Sequence, residues 1–137
     1  MIVVDANVIA YAVIPGVKTA LALSAIEVDA EWVAPPLWRS ELRNILATSV
    51  RTKRLTIGQA LAGWEQAVGL VVETGLDLDC ARVLRLSVQS GASAYDCEYV
   101  ALAQTLAVPL VTADERLARR FADVAVDLAR FVGRDAG

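Results

Sequence analysis

The sequence predicts a three-layer α/β/α sandwich around a parallel sheet of four or five strands, and three observations predict it. Short runs that are apolar on both faces, such as Ile2-Val3-Val4, alternate along the chain with stretches of helical periodicity. The first of these runs stops on Asp5, at the end of a strand, where open parallel sheets place their ligand crevices. The 137 residues carry no linker, low-complexity stretch or internal repeat, and one domain of this length buries a real core without staples.

Taken in order, Ile2 to Val4 is a central strand, and Ala6 to Tyr11 a short helix closed by Pro15-Gly16. A second helix spans about Lys18 to Val28. Trp32-Val33-Ala34 is a strand halted by Pro35-Pro36, which feed the first turn of a third helix reaching about Lys53. Thr56-Ile57-Gly58-Gln59 has capping-box spacing and opens a fourth helix to about Val68. Leu70 to Val72 reads as a strand before the Thr74-Gly75 turn, after which Asp77 or Asp79 caps a helix to about Gln89. Ser93 caps a helix from Ala94 to about Ala107, with Asp96 three residues on. Pro109 to Thr112 is a strand with its proline at the first position, Asp114 to Phe121 is helical, and Val124 to Val126 is the last strand. The remainder reads as a polar tail closed by Gly137.

Composition narrows the function. A net charge of −3 argues against a broadly cationic nucleic-acid binder, so any phosphate contact must be local. Hydrophobic residues make up 56% of the chain, an excess that points to apolar surface reserved for another chain, a homo-oligomer or a tight partner. Cys80 and Cys97 have no metal or redox spacing and read as small buried hydrophobes. Asp5 interrupts the only apolar run at the N-terminus, and the uncharged run Tyr99 to Ala113 is shorter than a membrane span, so a cytoplasmic protein without membrane contact is expected. The chain has no histidine, which removes the commonest general base and the usual zinc ligand. Catalysis must lean on carboxylates or a bound metal.

Two acids fall where the helical pattern asks for apolar residues. Glu41 lies within the stripe Leu37, Trp38, Leu42, Ile45 and Ser49, while Arg39 and Arg43 lie on the opposite side. Asp96 shares a face with Val100, Ala103 and Ala107, while Glu98 and Thr105 share the other. Each acid has a purely structural explanation, as a helix cap for Asp5, Asp96 and Asp114, and as an arginine partner for Glu41. Four acids converging on one sheet edge would nonetheless repel one another, and a cation resolves the repulsion. Oxygen-only ligation favours Mg²⁺ or Mn²⁺, which suits phosphodiester hydrolysis by metal-activated water. Asn7 and Thr112, beside the strand-end acids, can orient carboxylates or water.

These residues carry a resemblance. Val4-Asp5-Ala6-Asn7-Val8-Ile9, Glu41 on the third helix, Ser93-Ala94-Tyr95-Asp96-Cys97-Glu98-Tyr99 and Val111-Thr112-Ala113-Asp114 resemble the four acidic motifs of PIN-domain ribonucleases, and the layout is similar to VapC toxins of bacterial toxin–antitoxin pairs. The resemblance covers nearly the whole chain. It implies a PIN-like fold and an Mg²⁺- or Mn²⁺-dependent endoribonuclease that is dimeric and silenced by a cognate VapB-like antitoxin. It also implies that Asp5, Glu41, Asp96 and Asp114 are catalytic, metal-coordinating acids; Asn7, Thr112 and Ser93, read from their own positions, are the candidate supporting polar residues. The family's further acid after the fourth motif meets only Glu115 here.

The one locally basic stretch, Arg39, Arg43, Arg51, Lys53 and Arg54, is the candidate RNA contact, or else the solvated side of a helix. Arg116, Arg119 and Arg120 raise the same question beside Asp114. Two other classes compete. Receiver-like and haloacid-dehalogenase-like proteins also end a first strand on Asp, but they need a strand-end lysine, and this chain has only Lys18 and Lys53. A catalytically idle PIN-like binding module would use the apolar surface alone.

Overall fold

The computed structural model describes residues 1–75 and 77–136. Five strands, β1 (Ile2–Val4), β2 (Trp32–Ala34), β3 (Val71–Glu73), β4 (Leu110–Thr112) and β5 (Ala125–Asp127), form one all-parallel sheet in the order β3-β2-β1-β4-β5. Between and after them run α1 (Ala6–Val13), α2 (Thr19–Val28), α3 (Leu37–Arg51), α4 (Ile57–Leu70), α5 (Cys80–Ser90), α6 (Ala94–Leu106), α7 (Glu115–Arg120) and α8 (Leu128–Ala136). The expected sandwich is present, with five strands.

The strand order decides where a site can form. The chain steps from β1 outward to β2 and β3, then returns to lay β4 on the other side of β1 and β5 beyond it. Right-handed crossovers therefore put α1 to α4 on one face of the sheet and α5 to α7 on the other. Packing agrees: α1 rests on α2, α3 and α4, while α5 rests on α6 and α6 on β1 and β4. The direction reverses between β1 and β4, and a crevice opens there at the carboxyl ends. Strands β1, β2 and β4 are buried throughout, which explains their lack of alternation.

Helix starts follow side-chain capping. Asp5, Asp79, Ser93 and Asp114 each accept from backbone N–H groups of the helix they open, and Thr56 with Gln59 forms the full capping box. Asp79, not Asp77, is therefore the cap of α5. Four expectations are corrected. Helix α4 runs on through Leu70, so the strand starts at Val71 and ends at Glu73. The tail expected to be irregular is α8, which packs on α2 and sets Leu128, Phe131 and Val132 against the core at helical spacing. Its expected glycine closure at Gly137 lies outside the described residues. Cys80 is exposed, because the first residue after the Asp79 cap faces solvent, whereas Cys97 is buried as expected. On α3 the innermost positions are Trp38, Leu42 and Leu46, while Leu37, Ile45 and Ser49 are half-buried. Among the described residues, no helix is long and apolar enough to cross a membrane.

Candidate functional site

Asp5 ends β1 at the switch point and is 9% exposed, so both carboxylate oxygens must find donors. Oδ1 accepts from Val8 N at 3.0 Å, capping α1. Oδ2 accepts from the Thr112 hydroxyl and from Ala113 N at 3.1 Å, tying β1 to the end of β4. The fully buried Thr112 hydroxyl in turn accepts from Asp114 N at 3.0 Å. One threonine thus holds two acids in register. Burial pushes the Asp5 pKa up, against the lowering effect of those hydrogen bonds, and the Asp96 charge adds to the rise.

Asp114 caps α7, its Oδ1 accepting from Arg116 N at 2.9 Å and Leu117 N at 3.2 Å. Asp96 stands half-buried in the first turn of α6, which Ser93 starts by accepting from Asp96 N at 3.0 Å. Burial raises the Asp96 pKa, the Asp114 charge raises it further, and Ser93 and Arg120 oppose the rise. Glu41 comes from α3 on the opposite face of the sheet and is half-buried. Burial raises its pKa most, with Asp96, Asp5 and Glu98 adding like charge. The four predicted acids thus feel one another across a single crevice. Among the described residues, no group of three or more acidic or cysteine side chains is drawn tightly enough to hold an ion as it stands.

Two further residues join the site. Tyr99, 2% exposed, donates its hydroxyl to Glu41 Oε1 at 2.6 Å, so the partner of Glu41 is a tyrosine from α6 and not an arginine. Burial and the adjacent carboxylate hold the Tyr99 phenol protonated well above its ordinary range. Glu98, expected on the outer face of α6, is half-buried and adds its charge to Glu41. Helical spacing sets Tyr99 one turn after Asp96, but nothing local shows that its hydroxyl meets Glu41, 58 positions away. Tyr99→Phe keeps the packing and removes one charge-assisted hydrogen bond from a half-exposed carboxylate. Stability should fall by about 1 kcal/mol, seen as a lower urea midpoint with an unchanged m-value.

Asn7 is exposed on α1, two residues beyond Asp5, and Glu115 is exposed at the start of α7. The basic stretch divides. Arg39 Nε pairs with Glu73 Oε1 at 2.8 Å, and its guanidinium lies 5.1 Å from the centre of the Trp38 ring. Trp38 stacks on Trp64 at 5.6 Å, and Arg43 lies over Trp64 at 4.8 Å. Arg43 and Arg51 rim an apolar groove of about 450 Å³ between α3 and α4, whose walls include Ile57 and Leu61. Lys53, in the left-handed region at φ 62°, follows α3 without lining that groove, and Arg54 faces a different one, beside α1. Neither Lys18, at the start of α2, nor Lys53 stands at a strand end, as an aspartyl-phosphate site requires.

Comparison with known proteins agrees with this fold. A family model described as PIN domain matches residues 2–124. The chain is 30% identical over 129 residues to Ribonuclease VapC3 from Pyrobaculum aerophilum, covering 88% of this chain and 94% of that protein. The fold matches the crystal structure of PAE2754 from Pyrobaculum aerophilum with a TM-score of 0.76, over 98% of this chain and 88% of that one, at 23% identity.

Proposed function

Since the chain belongs to the PIN domain family, we propose that it is a divalent-metal-dependent endoribonuclease, the toxin of a pair completed by a VapB-like antitoxin. The observation that carries this reading is the crevice between β1 and β4, where Asp5, Glu41 and Asp96 have raised pKa values in each other's company and Asp114 adds its charge. Arg120 opposes the rise at Asp96. Such a set is costly until a positive charge enters, and its all-oxygen donors fit Mg²⁺ or Mn²⁺ rather than zinc. When bound, such an ion supplies an activated water and positive charge for the phosphoryl oxygens.

The chain's own residues do the positioning. Asp5, Glu41, Asp96 and Asp114 would hold the ion. Thr112 fixes the Asp5 carboxylate and the Asp114 backbone together, Tyr99 fixes Glu41, and Ser93 fixes the turn that carries Asp96. Asn7, exposed beside Asp5, is placed to meet substrate or water. Incubating the purified protein with mixed RNAs should give fragments with Mn²⁺ and none with EDTA. A folded protein inert under both conditions would leave the binding-module reading in its place.

The apolar surface supports a homodimer and an antitoxin contact. Val88, Ile57, Leu61 and Leu84 are all more than half exposed, in a chain that is 56% hydrophobic. Light scattering at micromolar concentration without antitoxin should give twice the chain mass. A monomer there would count against the dimer.

A further inference from the structure

A second groove, of about 370 Å³, leads away from the acids between α1 and α3. These helices pack side by side, and both begin at the crevice end of the sheet, after β1 and β2. Its α1 wall carries Asn7, two residues past Asp5, and Tyr11 one turn further. Its α3 wall carries Ile45, one turn past Glu41, and then Ser49. At 1.5 Å per residue, each four-residue step leads about 6 Å further from the acids. Lys18 and Arg54 line the same groove, the Lys18 ammonium lying 5.3 Å from the centre of the Tyr11 ring. Among the described residues no acid lines it, and neither Lys18 nor Arg54 forms an ion pair. That is a local reversal of sign in a chain of net charge −3.

We propose that this groove is the subsite for an unpaired nucleotide adjoining the scissile phosphate, with Lys18 and Arg54 on its backbone phosphate and Tyr11 under its base. The proposal rests on the nuclease reading above. RNA bases reach aromatic rings when they are unpaired and splayed from the helix. The Tyr11 ring is now covered by an exposed ammonium, a weaker contact than a stacked base. The flexible Lys18 stem lets that ammonium move from ring to phosphate as the base arrives.

The test is fluorescence anisotropy with a short labelled single-stranded oligonucleotide carrying 2′-O-methyl sugars, in Ca²⁺ over a salt series, with Mn²⁺ calorimetry alongside. Lys18→Ala and Arg54→Ala should each weaken binding roughly threefold to fivefold and reduce the salt slope by about 0.7. Tyr11→Ala should weaken it about tenfold, and Tyr11→Phe should restore it. Mn²⁺ affinity should not move, and in cleavage KM should rise while kcat stays. Should Tyr11→Ala fail to fold, the two exposed cations decide the matter. Wild-type binding by both charge variants, or an acidic peptide that depends on these residues while the oligonucleotide does not, overturns the subsite. If the wild type cleaves RNA and the variants cleave equally well, the subsite alone falls. If the wild type cleaves RNA but does not bind the oligonucleotide, the subsite alone falls; if it does neither, the nuclease reading falls with it.

Discussion

Asp5→Asn is expected to lower RNA cleavage on the order of thousands-fold while leaving a folded protein. The substitution keeps Oδ1, which accepts from Val8 N, so the cap of α1 survives. At the other oxygen two effects oppose. Losing a desolvated charge that repels Asp96 is favourable, as the raised pKa of Asp5 indicates. An amide nitrogen at Oδ2, however, meets the N–H of Ala113, which then has no acceptor, at a cost of about 1–3 kcal/mol. Thr112 can turn its hydroxyl to accept from the amide, but it already accepts from Asp114 N. Stability should therefore stay within about 2 kcal/mol of wild type, while the crevice loses its most deeply buried carboxylate. Single-turnover cleavage of a structured RNA, with thermal melts of both proteins, separates the effects. Near-wild-type cleavage by a folded Asp5→Asn protein would sink the metal-hydrolysis mechanism.

What could be read in advance was what local chemistry determines. The caps at Asp5, Thr56 and Ser93 are encoded within four residues of the helices they start, so those boundaries are right to within a residue or two. The strands β1, β2 and β4 are apolar on both faces because both faces are covered, and they were legible for that reason. Helix α8 was not, because its charged residues and Gly133 mask a stripe that becomes apolar only once α2 is beside it. The four acids were visible as polar residues in apolar places or at strand ends. Their partners were not: Tyr99 and Glu41 are separated by 58 positions, and Thr112 and Asp5 by 107. An aromatic residue at a core position gives no sign of whether its hydroxyl caps a carboxylate. The basic stretch looked like one patch, since the α3–α4 turn that sends Arg43 and Arg54 into separate grooves is a tertiary fact.

The same electrostatics predict how stability should respond to pH and to metal. Asp5, Glu41, Asp96 and Glu98 have folded pKa values above their ordinary ones, chiefly from burial, so between the two the folded chain holds protons that the unfolded chain has released. Their contribution is complete below the ordinary carboxylate range and is lost as pH rises through the raised values. Without divalent ions the protein should therefore weaken from mildly acid toward neutral pH. Asp29, lowered by its hydrogen bond to the N-terminal ammonium, acts in the opposite sense, with stability present above its ordinary range and lost as pH falls below it. That pair is exposed, so its weight is small. An ion bound by deprotonated acids reverses the crevice penalty, and its benefit should grow with pH. Mn²⁺ at about a hundred times its Kd should add about 2.7 kcal/mol, a rise in Tm on the order of 10 °C for a domain of this size. Thermal melts across the mildly acid to mildly alkaline range, in EDTA and in Mn²⁺, measure both slopes. A Mn²⁺ shift that is absent, or equal at every pH, would mean that these carboxylates do not hold the ion.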